Sequence, residues 1–266
     1  MKQGLEIFSL EGKTALVTGA TGYLGSSMAI ALAEAGAKVL INSRSYENCE
    51  ELVTKICSKG LLAESAAFDI CSNSQIKSYI SKFGNQPLHI LVNNAYAGGA
   101  GTIEMSEESS YIESYNASVI AAHRLLKEFL PNLRSAVEES NDASVINIGS
   151  MYGIVSPDSK IYDTENSVNP PFYGAAKAAL IHWTKYAACE FGKERIRVNA
   201  ISPGPFPSEQ VQISNPTFIQ KLNNKVPMGR IGYSKEIKGP VLFLASSSSS
   251  FVTGTNIVVD GGWTCW

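Results

Sequence analysis

Short contiguous apolar runs alternate along the chain with longer stretches whose apolar positions recur at helical spacing. The runs predict strands at Thr14 to Thr18, Lys38 to Asn42, Leu61 to Phe68, Leu88 to Val92, Ala143 to Ile148, Ile196 to Ile201 and Asn256 to Asp260. The periodic stretches predict helices over Ser26 to Ala35, Ser74 to Lys82, Ser109 to Leu130, Tyr173 to Phe191 and Lys235 to Ala245, with Gly36 stopping the first. Strict alternation with Val/Ile/Leu-rich strands predicts an α/β fold, a doubly wound parallel sheet with helices on both faces. No repeat and no linker divides the chain, so residues 1–266 are expected to form one domain. Two Pro-, Ser- and Asn-rich stretches, about 151–172 and 204–226, follow strand ends. Ligands of open α/β sheets sit outside the carboxyl ends of the strands, so both stretches are read as substrate loops.

Composition narrows the classes. The chain is 44% apolar and 17% charged with a net charge of -2, which gives no electrostatic footprint for nucleic acid or an anionic membrane. No apolar run has the length of a membrane span, and the N-terminus lacks the apolar core of a signal peptide. The five cysteines (Cys49, Cys57, Cys71, Cys189, Cys265) are scattered and form no CxxC pair. They are expected as buried or half-buried reduced thiols in a cytoplasmic protein, with no metal site.

Chemistry concentrates at a few positions. Tyr173 and Lys177, four residues apart, share one helix face. A fixed ammonium beside a phenol favours the phenolate, which is expected to bring Tyr173 toward acid/base work near neutrality. Thr18-Gly-Ala-Thr-Gly-Tyr-Leu-Gly25 lies between the first strand and first helix. Glycines at 19, 22 and 25 allow a tight turn, a close approach to a pyrophosphate and close helix–sheet packing, as in a Rossmann-type dinucleotide site. The second strand ends in Asn42-Ser43-Arg44, with no carboxylate for a ribose 2′-hydroxyl. A hydroxyl and a guanidinium there suit a 2′-phosphate, so NADP(H) is favoured and NAD(H) is the alternative. Asp69 either meets the adenine amino group or caps a short turn. Asn93-Asn94-Ala95 closes the fourth strand, where asparagine amides can bridge strand ends. Asn116, an internal Asn that costs helix propensity, is read as binding water or a carbonyl. Ser150, after a central strand, is read as a substrate-binding hydroxyl.

In this order, these pieces resemble the short-chain dehydrogenase/reductase family over nearly the whole chain. Ser202-Pro-Gly204 and the closing Val252-Thr-Gly…Val259-Asp-Gly-Gly262 add to the likeness. The single-domain branch, with its 3-oxoacyl reductase and gluconate 5-dehydrogenase-like members, is the nearest in pattern. The resemblance implies a Rossmann fold with Asn116, Ser150, Tyr173 and Lys177 as the catalytic tetrad. It implies cofactor contacts at Gly19, Thr21, Gly22, Tyr23, Leu24, Gly25, Ser43, Arg44, Asp69, Ile70, Asn94, Ala95, Tyr173, Lys177, Pro203, Gly204 and Phe206. The last three would flank the nicotinamide. Lys177 would hydrogen-bond the nicotinamide ribose, and Asn116 would hold a water linking Lys177 to solvent. Family members pair through the two long helices and often form tetramers through the last strand, so a homo-oligomer is expected, tetramer or dimer.

Four departures stand out. Tyr23 occupies the family's middle glycine, and Gly22 precedes it, a spacing shared with sugar-nucleotide epimerases and dehydratases. Tyr96 replaces the Gly of Asn-Asn-Ala-Gly and would bulk up one wall of the site. His89 stands where an acid often supports the adenine pocket and is read as a structural substitute. The Ser150–Tyr173 gap is longer than usual. The expected activity is reversible hydride transfer between NADP(H) and a carbonyl/alcohol substrate. Asp158, Asp163 and Glu165 in the insert point to a sugar- or polyol-like ligand. The alternatives are an epimerase/dehydratase and a non-catalytic NADP(H)-binding regulator.

Overall fold

The computed structural model describes residues 4–266; Met1 to Gln3, part of the N-terminal stretch read above, lie outside the described residues. Seven parallel strands form one sheet: β1 (Thr14–Val17), β2 (Lys38–Ile41), β3 (Ala63–Ser65), β4 (Ile90–Asn93), β5 (Ala143–Ile148), β6 (Ile196–Pro203) and β7 (Asn256–Val259). Their order is β3-β2-β1-β4-β5-β6-β7. The chain therefore winds outward from β1 to β3, then returns to lay β4 on the other side of β1. The reversal opens a crevice at the carboxyl ends of β1 and β4. β4, β5 and β6 are buried along their whole length, as parallel strands covered on both faces must be.

One face is covered by α1 (Tyr23–Glu34), α2 (Tyr46–Cys57) and α9 (Lys238–Ala245); α1 and α2 bury Met28, Leu32 and Ile56 over β1 and β2, and α9 buries Val241 and Leu244 over β5 and β6. The other face is covered by α3 (Asn73–Phe83), α5 (Ala121–Ser140) and α6 (Pro171–Phe191), through Ile76, Phe83, Leu125, Phe129 and Phe191. A smaller apolar cluster lies apart from both. Met151, Tyr152, Ile161, Leu222, Val226 and Trp263 there join the insert after β5 to α8 (Pro216–Lys225) and the C-terminal tail.

Several elements depart from the pattern. α2 was not among the expected helices, although Cys49, Leu52 and Ile56 are buried at helical spacing. Ser45 caps it by accepting from Asn48 N at 3.2 Å. The helix expected to stop at Leu130 runs on through Pro131 to Ser140. Pro131 removes one backbone donor, but Asn132 Nδ2 donates to Gly84 O (2.7 Å) and Gln86 O (2.8 Å), and Leu133 and Ala136 are buried beyond it. The same long helix is interrupted at its start. α4 (Glu108–Tyr115) leads into a π turn at Asn116–Ile120 before α5 begins, and such turns often mark functional sites. The 204–226 stretch holds two helices, α7 (Glu209–Ser214) and α8. Cys57, Cys189 and Cys265 are exposed, against the expectation of buried thiols; Cys49 is buried and Cys71 half-buried. Among the described residues no helix is long and apolar enough to cross a membrane.

Candidate active site

A cleft of roughly 430 Å³ opens at the β1/β4 crevice. Its walls contain Gly19, Thr21, Gly22, Tyr23, Leu24, Gly25, Ser43, Arg44, Asp69, Ile70, Asn94 and Ala95, twelve of the residues singled out from sequence. Asn42, Phe68, Cys71, Tyr96, Ala97 and Ala117 also line it and were not assigned to the cofactor. Gly25 is required by contact: a Cβ there would collide with the Gly19 carbonyl and come within 2.8 Å of Asn94 Nδ2. The glycine turn is fastened to β4 by side chains. Thr18 Oγ1 donates to Val92 O (3.1 Å) and accepts from the backbone N–H groups of Asn94 (2.9 Å) and Ala95 (3.1 Å). Asn94 Nδ2 in turn donates to Thr18 O at 2.8 Å. The asparagine bridges between strand ends are therefore present. Asn93 extends them to Asn147 Oδ1 (2.8 Å), and Asn147 to Thr184 on α6 (2.9 Å).

At the β2 end of the cleft, Asn42 Nδ2 donates to Ala66 O and Phe68 O, and Ser43 Oγ donates to Ser45 O at 2.7 Å. Arg44 is exposed and carries no hydrogen bond or ion pair among the described residues. Asp69 Oδ1 accepts from Cys71 N (2.8 Å), so it closes a turn while lining the cleft. Pro203, Gly204 and Phe206 do not line this cleft. Pro203 pairs with Val259, Gly204 packs on Asp260, and Phe206 borders a separate hollow with Arg230 and Glu236.

Ser150 follows β5 and caps a short turn by accepting from Tyr152 N (3.1 Å). Its hydroxyl neighbours the Tyr173 phenol near the start of α6 and acts to lower that group's pKa. Gly174 makes the approach possible: a Cβ there would sit 2.7 Å from Tyr152 O. One turn along α6, Lys177 is buried and its Nζ donates to Ile148 O at 2.7 Å. Nζ lies 5.7 Å from the centre of the Tyr173 ring. The electrostatics differ from the sequence expectation. Burial pushes the Tyr173 phenol up, only partly offset by the Ser150 hydroxyl, and the Tyr96 phenol adds to the rise. The same burial lowers Lys177 to about 8. Desolvation outweighs the ammonium, so Tyr173 holds its proton at neutrality. Asn116 sits at the first position of the π turn, and its Oδ1 accepts from Arg124 Nη2 at 3.4 Å. Arg124 Nη1 also donates to Ile70 O (2.9 Å), tying Asn116 to the far wall of the cleft.

Two of the three insert acids are engaged in ion pairs, and Glu165 is exposed. Asp158 pairs with Lys225 (2.5 Å) and Asp163 with Lys221 (2.6 Å), so both fasten the insert to α8. Tyr23, at the family's middle glycine, accepts from Gln212 Nε2 (3.4 Å) and Ser234 N (3.3 Å) and joins the glycine turn to the α7 side of the site. His89 lies at the amino end of β4, where its Nδ1 accepts from Thr14 N (3.1 Å), the opposite end of the sheet from the cleft. It therefore does not support the adenine pocket.

A glycine-cradled cleft beside a Ser–Tyr–Lys cluster defines an NAD(P)-dependent oxidoreductase acting between CH–OH and C=O. Residues 19–264 match the family model described as Enoyl-(Acyl carrier protein) reductase, and the chain belongs to the short-chain dehydrogenase/reductase family. It is 32% identical over 260 residues to the rhamnolipids biosynthesis 3-oxoacyl-[acyl-carrier-protein] reductase of Pseudomonas aeruginosa, covering 96% of this chain and 98% of that one. It is 31% identical to the 2-dehydro-3-deoxy-D-gluconate 5-dehydrogenase of Dickeya dadantii, covering 97% of this chain and 98% of that one. Among solved structures, the gluconate 5-dehydrogenase of Burkholderia cenocepacia in complex with NADP and tartrate superposes with a TM-score of 0.87 at 27% identity, over 99% of this chain and 100% of that one. Neither rival reading finds support, because these relatives are oxidoreductases spanned end to end and the Ser150, Tyr173 and Lys177 set is intact.

Proposed function

We propose that the chain is an NADP(H)-dependent dehydrogenase/reductase of a sugar-acid-like hydroxy or keto compound. The observation that carries this reading is the meeting of Ser150, Tyr173 and Lys177 beside a glycine-cradled cleft that ends in Arg44. The cleft fits a dinucleotide: Gly19 and Gly25 leave no room for a Cβ, and the first turn of α1 offers backbone N–H groups to a pyrophosphate. Arg44 would hold the 2′-phosphate, and structural relatives carry NADP. When bound, the nicotinamide supplies hydride chemistry.

The chain's own residues handle the proton. The Ser150 and Tyr173 hydroxyls neighbour each other, so both can hold one substrate oxygen. Tyr173, protonated at neutrality, gives its proton to that oxygen in reduction and takes it back in oxidation. Lys177 uses one of its three N–H groups on Ile148 O and keeps two for a ribose hydroxyl and for steadying the phenolate. Asn116, held by Arg124, would keep a water beside this set. Asp158 and Asp163 are paired and do not support a polyol ligand; the sugar-acid reading rests on the relatives that act on gluconate derivatives.

In this reading residues 1–266 form one dinucleotide-binding unit, with substrate loops at about 151–172 and 204–226. Its setting is cytosolic, in keeping with five free cysteines. It assembles as a homo-oligomer: Ile112, Ile120 and Tyr186 expose apolar surface on α4, the π turn and α6, whereas Val119, Leu125, Leu180 and Ala187 are buried. A monomeric mass in light scattering would remove the assembly. The activity is tested by following NADPH oxidation with keto sugar acids and with a 3-oxoacyl thioester. Tyr173→Phe should bind NADPH normally and lose about a hundredfold or more in kcat. Turnover in that variant above a tenth of the unsubstituted rate would reject the mechanism.

A further inference from the structure

Tyr96 stands where the family pattern has glycine, and the Ser–Tyr–Lys chemistry does not account for it. Its ring meets that of Tyr173 edge-on, with centroids 4.9 Å apart and planes at 70°. The Lys177 ammonium lies 5.1 Å from its centroid, nearer than the 5.7 Å to Tyr173. Ser114 Oγ donates to Phe172 O at 3.1 Å, which commits its one hydrogen. The Tyr96 hydroxyl, 2.8 Å from Ser114 Oγ, is therefore the donor of that pair. Ring and tip are both fixed, and the second anchor is the carbonyl of the residue preceding Tyr173. Gly98 is matched to the ring: a Cβ there would come within 2.5 Å of Tyr96 Oη.

We propose that Tyr96 is a positioning residue that holds Tyr173 by edge contact and keeps Lys177 charged by presenting a π face to its ammonium. The inference rests on the oxidoreductase reading of the same site and goes beyond it. Lys177 enters no ion pair among the described residues. The groups facing its ammonium are the phenols of Tyr96, after β4, and of Tyr173, on its own helix, with the Ile148 carbonyl from β5. Among the described residues no further contact is seen to offset the cost of burying this charge, so the Tyr96 face contributes directly to how readily the lysine keeps its proton. Loss of the face favours the neutral amine and moves its titration to lower pH.

The test is a pH series of NADPH binding by nucleotide fluorescence, with turnover on a keto sugar acid measured in parallel. In the unsubstituted protein, affinity falls as Lys177 loses its proton. In Tyr96→Leu that fall should come about half to one and a half pH units lower, while Tyr96→Phe, which keeps the face, restores the original midpoint. In a Lys177→Met background Tyr96→Leu should leave the profile unchanged. Tyr96→Met takes the place of the leucine variant if that one does not fold. An unmoved midpoint in Tyr96→Leu, or an equal shift in the Lys177→Met background, overturns the role of Tyr96. A pH dependence in Lys177→Met identical to that of the unsubstituted protein overturns instead the placement of Lys177 at the cofactor.

Discussion

Replacing Arg44 by Ala should nearly abolish discrimination between NADPH and NADH while leaving NADH affinity in place. The side chains around it show why one residue carries the preference. Both Asn42 amide hydrogens are spent on Ala66 O and Phe68 O, and the Ser43 hydrogen is spent on Ser45 O. Of the polar groups at this end of the cleft, the guanidinium has donors to spare. A hydrogen bond to a charged group is worth about 1.5–3 kcal/mol, and exposure of Arg44 to solvent places it at the low end. A loss of about 1.5 kcal/mol corresponds to roughly tenfold in Kd. Fluorescence titration of both nucleotides at two ionic strengths checks this. The NADPH preference should shrink with salt in the unsubstituted protein and be nearly salt-independent in Arg44→Ala. If Arg44→Ala weakens both nucleotides equally, or if Ser43→Ala costs as much as Arg44→Ala, the assignment of the 2′-phosphate is wrong.

Gly174→Ala should lower kcat at least tenfold with little change in NADPH affinity. The new methyl would meet Tyr152 O at 2.7 Å and push the Ser150 turn away from Tyr173, and misplacement of about 1 Å can cost a hundredfold. A separate outcome concerns acid. Burial lowers His89 to about 4 from 6.5, so the folded chain binds a proton there less readily than the unfolded one. The stability tied to its neutral form is complete above the unfolded value and is lost as pH falls through that window, to a limit of about 3 kcal/mol. Urea melts of the unsubstituted chain and His89→Asn at about pH 7 and pH 4.5 should show a smaller acid loss in the variant; equal losses would assign acid sensitivity elsewhere.

Most of the sheet was legible because its strands contain contiguous apolar runs, and β5 coincides with Ala143 to Ile148 residue for residue, whereas the strand expected at Leu61 to Phe68 shrinks to Ala63–Ser65, an edge strand with no apolar run. The glycine turn and the Ser150, Tyr173 and Lys177 set were legible because turn geometry and helix periodicity fix their spacing. Four things were hidden for physical reasons. α2 is amphipathic but polar on average, so its three buried residues were lost among charges. Pro131 is a local stop signal overridden by tertiary support from Asn132 and the core. The partners of Asp158 and Asp163 lie 67 and 58 residues away, beyond any local pattern, so acids that fasten two segments read as acids awaiting a ligand. The Tyr173 phenol failed in the same way: adjacency to Lys177 is visible in sequence, whereas the desolvation that outweighs it is set by packing.

The paired bridges Asp158–Lys225 and Asp163–Lys221 have the same polarity, acids on the insert and lysines on α8. The two segments are thus a cassette in the engineering sense. Grafting a relative's insert alone strands two lysines on α8, and grafting α8 alone strands two aspartates. Transplanted together, or with both charges reversed across the seam, they travel with their fastening intact. Attempts to retarget this scaffold to a new substrate should therefore exchange 151–172 and 204–226 as one unit.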